Sequence, residues 1–239
     1  MIARLVTALA AALLLAGCST EEGMRAQTLL QQAEAAQANL RSATFDGSVG
    51  VSADGMTFRM LFNGATSEDG EWFSMRTSGA PNGGDMALQV LVRGARAWMN
   101  SGGRWESMPG PTGAGSNGTL SAAAFQQLAR YVKDVRVTEH QLIQGKAVTT
   151  IAGEIDTKGM VESFAKLGSF AEGMSLDLSK LGLDFDDIRA VLTIDERTQL
   201  LDTAFVTFAI SAEGKSIEID LRYRLASVNE PVKLPSPHG

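Results

Sequence analysis

The chain has 239 residues, 44% of them apolar and 20% charged, with a formal net charge of −6 and a single cysteine. That length suits one large domain or two small ones, and the acidic balance argues against a nucleic-acid partner and against electrostatic adhesion to anionic lipid. A lone cysteine forms no internal disulfide, so the fold must stand on its core.

Residues 1–17 carry the three parts of an export signal: Arg4, an apolar run over 5–16, then small residues. The run is about a dozen residues long, too short to span roughly 30 Å of hydrocarbon as a helix. It stops at "LAGC", ending on Cys18, which resembles the lipobox of bacterial lipoproteins. In that family the thiol is alkylated with diacylglycerol and the chain is cut just before it. The resemblance therefore implies acylation of Cys18, with a diacylglyceryl and a fatty acyl group such as palmitate as the only bound modification and no other cofactor. Two or more acyl chains hold a membrane lastingly at about 0.8 kcal/mol per buried CH₂. Cleavage leaves 222 residues, and the loss of Arg4 takes the net charge to −7. The expected layout is signal peptide 1–17, lipidated Cys18 with a short tether 18–23, one domain over 24–230 and a Pro-rich tail 231–239.

Leu29, Ala33, Ala36 and Leu40 share one face of a helix predicted over about 24–42. The period then changes to two. Phe45, Val49 and Val51 alternate with polar residues, and "MTFRMLF" puts Met56, Phe58, Met60 and Phe62 on one face. "ADG" between these runs is a hairpin signal. Further strands are predicted over 71–78, 85–93, 95–99 and 104–108. A loop at 109–118 precedes a helix predicted near 120–133. Strands over 135–140 and 146–156 follow, then a helical stretch over 158–167 and looser chain to Phe185. Strands over 188–194, 201–211 and 216–225 close the domain. Ile217, Ile219, Leu221 and Tyr223 alternate there with charged residues, giving one wet and one covered face. This is an antiparallel meander without crossover helices, which excludes a parallel α/β sheet.

Motifs for chemistry are weak. "GAGSNG" (113–118) fits a dinucleotide loop, but Pro109 and Pro111 precede it and no βαβ unit surrounds it. "EGKS" (213–216) lacks the first glycine of a phosphate loop and reads as a hairpin turn. "SEDGE" (67–71) and "DFDD" (184–187) lack the full oxygen spacing of a Ca²⁺ loop and read as solvated turns. His140 and His238 belong to no zinc or nucleophile motif, and no metal ligand is assigned. "NGT" (117–119) is a glycosylation sequon in form only. No catalytic residue is assigned, and the chain is expected not to be an enzyme. Methionine stands out: nine remain after residue 1, and flexible, polarizable thioethers suit surfaces that take varied apolar partners.

Several longer stretches carry a resemblance. These are "LLQQAEAAQANLRSATFDGSVGVS", "ALQVLVRGARAWMNSGGRWESMP", "VRVTEHQLIQGKAVTTIAGEID", "IRAVLTIDERTQLLDTAFVTF" and "IEIDLRYRLASVNEPVKLPSP". Together they resemble LppX/LprG-type lipoproteins of the LolA/LolB-like fold. The resemblance implies an α+β fold, a single curved antiparallel β-sheet (half-barrel) wrapped around a few α-helices, with an apolar cavity between. It also implies binding of the acyl chains of lipids or lipoglycans for transport in the cell envelope. The protein would then be lipid-anchored on the extracytoplasmic face of the cell membrane, with an envelope transporter as a further partner. The very short tether departs from what a carrier that leaves its membrane would need. Met56, Phe58, Met60, Phe62, Phe73, Met75, Met86 and Leu88 are the candidate cavity residues. The alternative function is a non-enzymatic sensory or protein-interaction module on the same fold.

Overall fold

The computed structural model describes residues 21–37, 39–53, 55–78, 87–109, 127–143, 145–156, 184–212 and 215–237. Helix α1 covers 21–37. Eleven strands follow: β1 (Ala43–Ala53), β2 (Met56–Ser67), β3 (Gly70–Ser78), β4 (Ala87–Arg93), β5 (Arg96–Asn100), β6 (Trp105–Pro109), β7 (Val132–Ile143), β8 (Lys146–Ile155), β9 (Asp184–Asp195), β10 (Leu201–Ala212) and β11 (Lys215–Val228). They form one sheet in the order β6-β5-β4-β3-β2-β1-β11-β10-β9-β8-β7. Two meanders, β1 to β6 and β7 to β11, are thus joined where β1 pairs with β11, and every pairing is antiparallel. Consecutive β6 and β7 end up on opposite edges.

The sheet's inner face carries α1. Ala26, Leu30 and Ala33 are its deepest residues, with Leu29 and Ala36 at the margin. The predicted stripe is therefore rotated toward Leu30, and the two small alanines let the helix axis come close to the sheet. Near one end, Gly23 faces the carbonyl of Val135 on β7, where an added Cβ would lie 3.5 Å away. At the other end, Asn39 and Leu40 lead into β1. Helix α1 therefore crosses the inner face from the β7 edge to the sheet's centre. It also starts three residues before the predicted helix and ends earlier than predicted, so residues 21–23, assigned to the tether, are helical. No helix among the described residues is long and apolar enough to cross a membrane.

Two other expectations are corrected. The helix predicted near 120–133 is, in its described part, a 3-10 turn over Gln127–Tyr131. Val132 and Lys133 already pair with Ile155 and Glu154, because Val132, Val135 and Val137 favour the pleated strand. "DFDD" is not a turn either: its backbone opens β9, with Asp184 opposite Ser211 and Asp186 opposite Ala209. The predicted helical stretch 158–167, the loop 110–118 with "GAGSNG" and "NGT", and His238 lie outside the described residues, as does Cys18.

The chain after β11 does structural work that its Pro-rich composition does not advertise. Asn229 takes a left-handed conformation (φ 55°). Its Oδ1 accepts from the backbone N–H of Arg41 at 2.8 Å and of Ser42 at 3.4 Å. The Ser42 hydroxyl donates to the Glu230 carbonyl at 2.6 Å. This clamp pins the α1–β1 link to the end of β11. Residues 231–236 then cross the outer face of β2 to β5. Leu234 and Val232 close a second core there with Ala65, Leu91 and the chain's three tryptophans, Trp72, Trp98 and Trp105. Arg93 holds the strap by donating from Nη2 to the Pro235 carbonyl at 3.0 Å. Leu234→Ala is expected to cost about 2 kcal/mol, toward the low end for a buried leucine because the cluster is small. Tryptophan emission shifted to the red and more easily quenched by acrylamide would show the strap loosened.

Candidate functional site

Beyond a row of Leu225, Phe45, Gly64, Phe73 and Val90 at the α1 end, strand register sorts the inner face into four further rows, because residues paired across antiparallel strands point to the same side. The first row runs Leu192, Ala204, Tyr223, Gly47, Phe62, Met75, Leu88. The second runs Ala190, Val206, Leu221, Val49, Met60, Thr77. The third is Phe208, Ile219, Val51, Phe58, and the fourth contains Ile217, Ala53 and Met56.

Burial falls along this order. In the first row Leu192, Ala204, Tyr223 and Phe62 are buried within the main core. In the second, Ala190 and Val206 are buried while Val49, Met60 and Leu221 are half-buried. All four residues of the third row are half-buried. Met56, in the fourth, is 62% exposed. The first row is sealed by aromatic rings lying over glycines. A Cβ on Gly47 would collide with the Phe62 ring, and one on Gly64 with the Phe45 ring. Phe62 in turn stacks on Phe73 with ring centroids 6.1 Å apart. Among the described residues the result is an apolar floor, closed at the α1 end and half-open at the opposite end of β1, β2, β10 and β11.

The seven predicted site residues that are described lie on this face. Met56, Phe58, Met60 and Phe62 alternate inward on β2; Met75 pairs with Phe62 and with Leu88, and Phe73, two residues before Met75, pairs with Gly64 and Val90. They are not equivalent. Phe62 and Phe73 are core residues, and Met75 packs against the same core. Leu88 packs beside Val90, Val92, Ala97 and Met108. Only Met56, Phe58 and Met60 reach the open half. Met86 lies outside the described residues. The partners across the central seam, Val51, Phe208, Ile217, Ile219 and Leu221, complete that half and are absent from the predicted set. Their alternation was visible in "IEIDLRYR", but nothing in the sequence says that β11 pairs with β1.

Polar groups are gathered elsewhere. On the inner side toward the turn of the β7–β8 hairpin, the Thr149 hydroxyl donates to Glu196 Oε1 at 2.6 Å, and His140 Nδ1 lies 3.3 Å from the same oxygen. These contacts, Thr149 first and then His140, hold the Glu196 carboxyl below its usual range. A hollow of about 350 Å³ beside β7 to β9 is lined by Asp134, Arg136, Glu154 and Arg189 together with Ala152, Gly153, Ala190 and Val191, so charged groups share its wall with small apolar ones. Among the described residues, no cluster of three or more His, Cys, Asp or Glu could hold a metal ion.

No protein-family model matches the chain, and no curated protein matches it in sequence. Solved structures do match. LprF from Mycobacterium bovis aligns with a TM-score of 0.50 at 16% identity, over 90% of this chain and 98% of its own. The Mycobacterium tuberculosis lipoprotein LppX aligns with a TM-score of 0.48 at 16% identity, over 88% and 98%. A LolA superfamily protein from Nitrosomonas europaea aligns at 8% identity with a TM-score of 0.28, over 84% and 94%. The likeness to LprF shows a shared fold. The LppX/LprG-type resemblance read from the sequence thus holds for the fold: one large open antiparallel sheet with a helix on its inner face.

Proposed function

We propose that this protein is an envelope lipoprotein, acylated on Cys18 and held on the extracytoplasmic face of the cell membrane, that takes the acyl chains of lipids or lipoglycans onto the half-open part of its inner face. The observation that carries this reading is the burial gradient. The same apolar rows that make a tight core beside α1 continue for two more rows that are only half-buried or exposed among the described residues. Burying apolar area gains about 25 cal/mol per Å², so a contiguous, partly exposed apolar floor favours an apolar occupant. A hydrocarbon chain fits that floor, because no charge projects from rows three and four in the described residues. A sixteen-carbon chain placed there would gain more than about 10 kcal/mol before ordering costs.

Catalysis is not part of this reading. The polar trio of His140, Thr149 and Glu196 lies at the closed end of the sheet, away from the open rows. A transporter that delivers or removes the lipid would complete the role. The test is direct: a Cys18→Ala form recovered from a host of the lipoprotein-processing type is extracted and its lipids identified by mass spectrometry. Co-purifying acyl lipid and saturable uptake of a fluorescent fatty acid are expected. Absence of both would leave the open rows to an apolar protein segment and make the chain an interaction module.

A further inference from the structure

We infer that the β7 edge of the sheet lies against the bilayer, with Leu142 and Ile143 at the end of β7 dipping into its interface. The inference rests on the Cys18 anchor of the reading above and adds which side of the protein faces the membrane.

The length of chain outside the described residues sets the geometry. Cys18 is three residues before Glu21, where α1 is already formed. Three extended residues reach at most about 11 Å. Two residues further on, Gly23 packs against Val135 of β7. An acylated Cys18 is therefore confined to the β7 side of the molecule, as far across the sheet order as possible from β6.

The surface on that side is unlike an ordinary solvated edge. Met24, in the first turns of α1, is 66% exposed; Leu142 and Ile143, at the end of β7, are 75% and 45% exposed. Gly23 lies against β7 at Val135, and the same strand ends at Leu142 and Ile143, whose register partners Ala147 and Lys146 open β8; the Glu196 backbone N–H donates to the Ala147 carbonyl at 2.9 Å. That end of β7 thus belongs to the same side of the protein as the start of α1. Along the strand between them, exposed Lys133 and Arg136 can meet headgroup phosphates, while Asp134 and Glu139 keep the edge from binding anionic lipid without the anchor. A twelve-residue edge strand is also a hazard for pairing with other chains, and a membrane lying along it removes that hazard.

The test uses the acylated protein in vesicles of phosphatidylethanolamine and phosphatidylglycerol. Because the chain's one thiol is consumed by the anchor, a Leu142→Cys form takes a fluorophore at that site alone, and a Ser107→Cys form on exposed β6 serves as the opposite edge. Both positions are solvent-exposed. Flotation with the vesicles reports the anchor separately from the label. Emission at position 142 is expected to shift to the blue and be roughly halved by phospholipid spin-labelled near the headgroup, with position 107 unaffected. Equal behaviour of the two labels on floating protein would overturn the orientation and leave the anchor standing. Energy transfer between labels on neighbouring chains, without lipid quenching, would overturn it in favour of a second copy on β7. Failure to float would remove the anchor and the orientation together.

Discussion

Replacing Phe58 and Ile219 together by aspartate is expected to reduce acyl-chain affinity more than a hundredfold while leaving the protein folded. The two residues belong to the third row, where Val51 is register partner to both. Each carboxylate would have to give up water against hydrocarbon or take up a proton, and an unsatisfied buried polar group costs about 1–3 kcal/mol, more when charged. Together that exceeds about 3 kcal/mol, and each 1.4 kcal/mol is tenfold in affinity. Folding is spared because both sites are already half-exposed and the core beside α1 does not depend on them. Titration of a fluorescent fatty acid measures the loss, and an unchanged thermal melt shows that the fold survives. Uptake at the unsubstituted level in a folded variant would remove the open rows from the site.

The second large effect is expected at the closed end. Gly64→Val should destabilise the protein by at least about 3 kcal/mol, because overpacking a filled core forces side chains off their rotamers or shifts backbone. A Cβ at Gly64 would land on the Phe45 ring and 2.8 Å from the Trp72 carbonyl oxygen, so it meets a rigid ring on one side and main chain on the other. For a chain of this size each kcal/mol moves the melting temperature by about 2–4 °C, so a drop of about 6–12 °C is expected by calorimetry. Gly55→Ala provides the contrast. Gly55 sits in the β1–β2 hairpin with φ +79° and open space around it, so only the left-handed backbone resists, at about 1–2 kcal/mol. Equal melting temperatures for the two variants would show that ring-over-glycine packing does not seal the floor.

The difference between these two ends marks how far the sequence could be read. Period-two alternation places Met56, Phe58, Met60 and Phe62 on one face, and they share it in the structure. Parity assigns a face but not a depth. Phe58 and Phe62 are chemically identical, yet one is half-buried and the other is in the core, because Gly47 and the Phe73 ring wait beneath Phe62. Depth comes from residues far away in the chain. So does the seam between β1 and β11, which brings Val51 opposite Ile219 across more than half the sequence. The strap over the tryptophans was illegible for another reason: "VKLPSP" has no helix or strand periodicity, and a single Leu234 makes its contact. "DFDD" misled because carboxylates are rare in strands, and here the backbone pairing with β10 overrides that preference.

The most direct measurement is by NMR of the protein labelled at isoleucine, valine and methionine methyl groups, titrated with a long-chain fatty acid. The methyl groups of Val51, Met60, Ile217 and Ile219 are expected to shift and to show contacts with the ligand's chain protons, while those of Ile151 and Ile194 in the closed core stay in place. Shifts confined to the closed core or to the outer face, with the open rows unmoved at saturation, would contradict the assignment of the acyl chain to the inner floor.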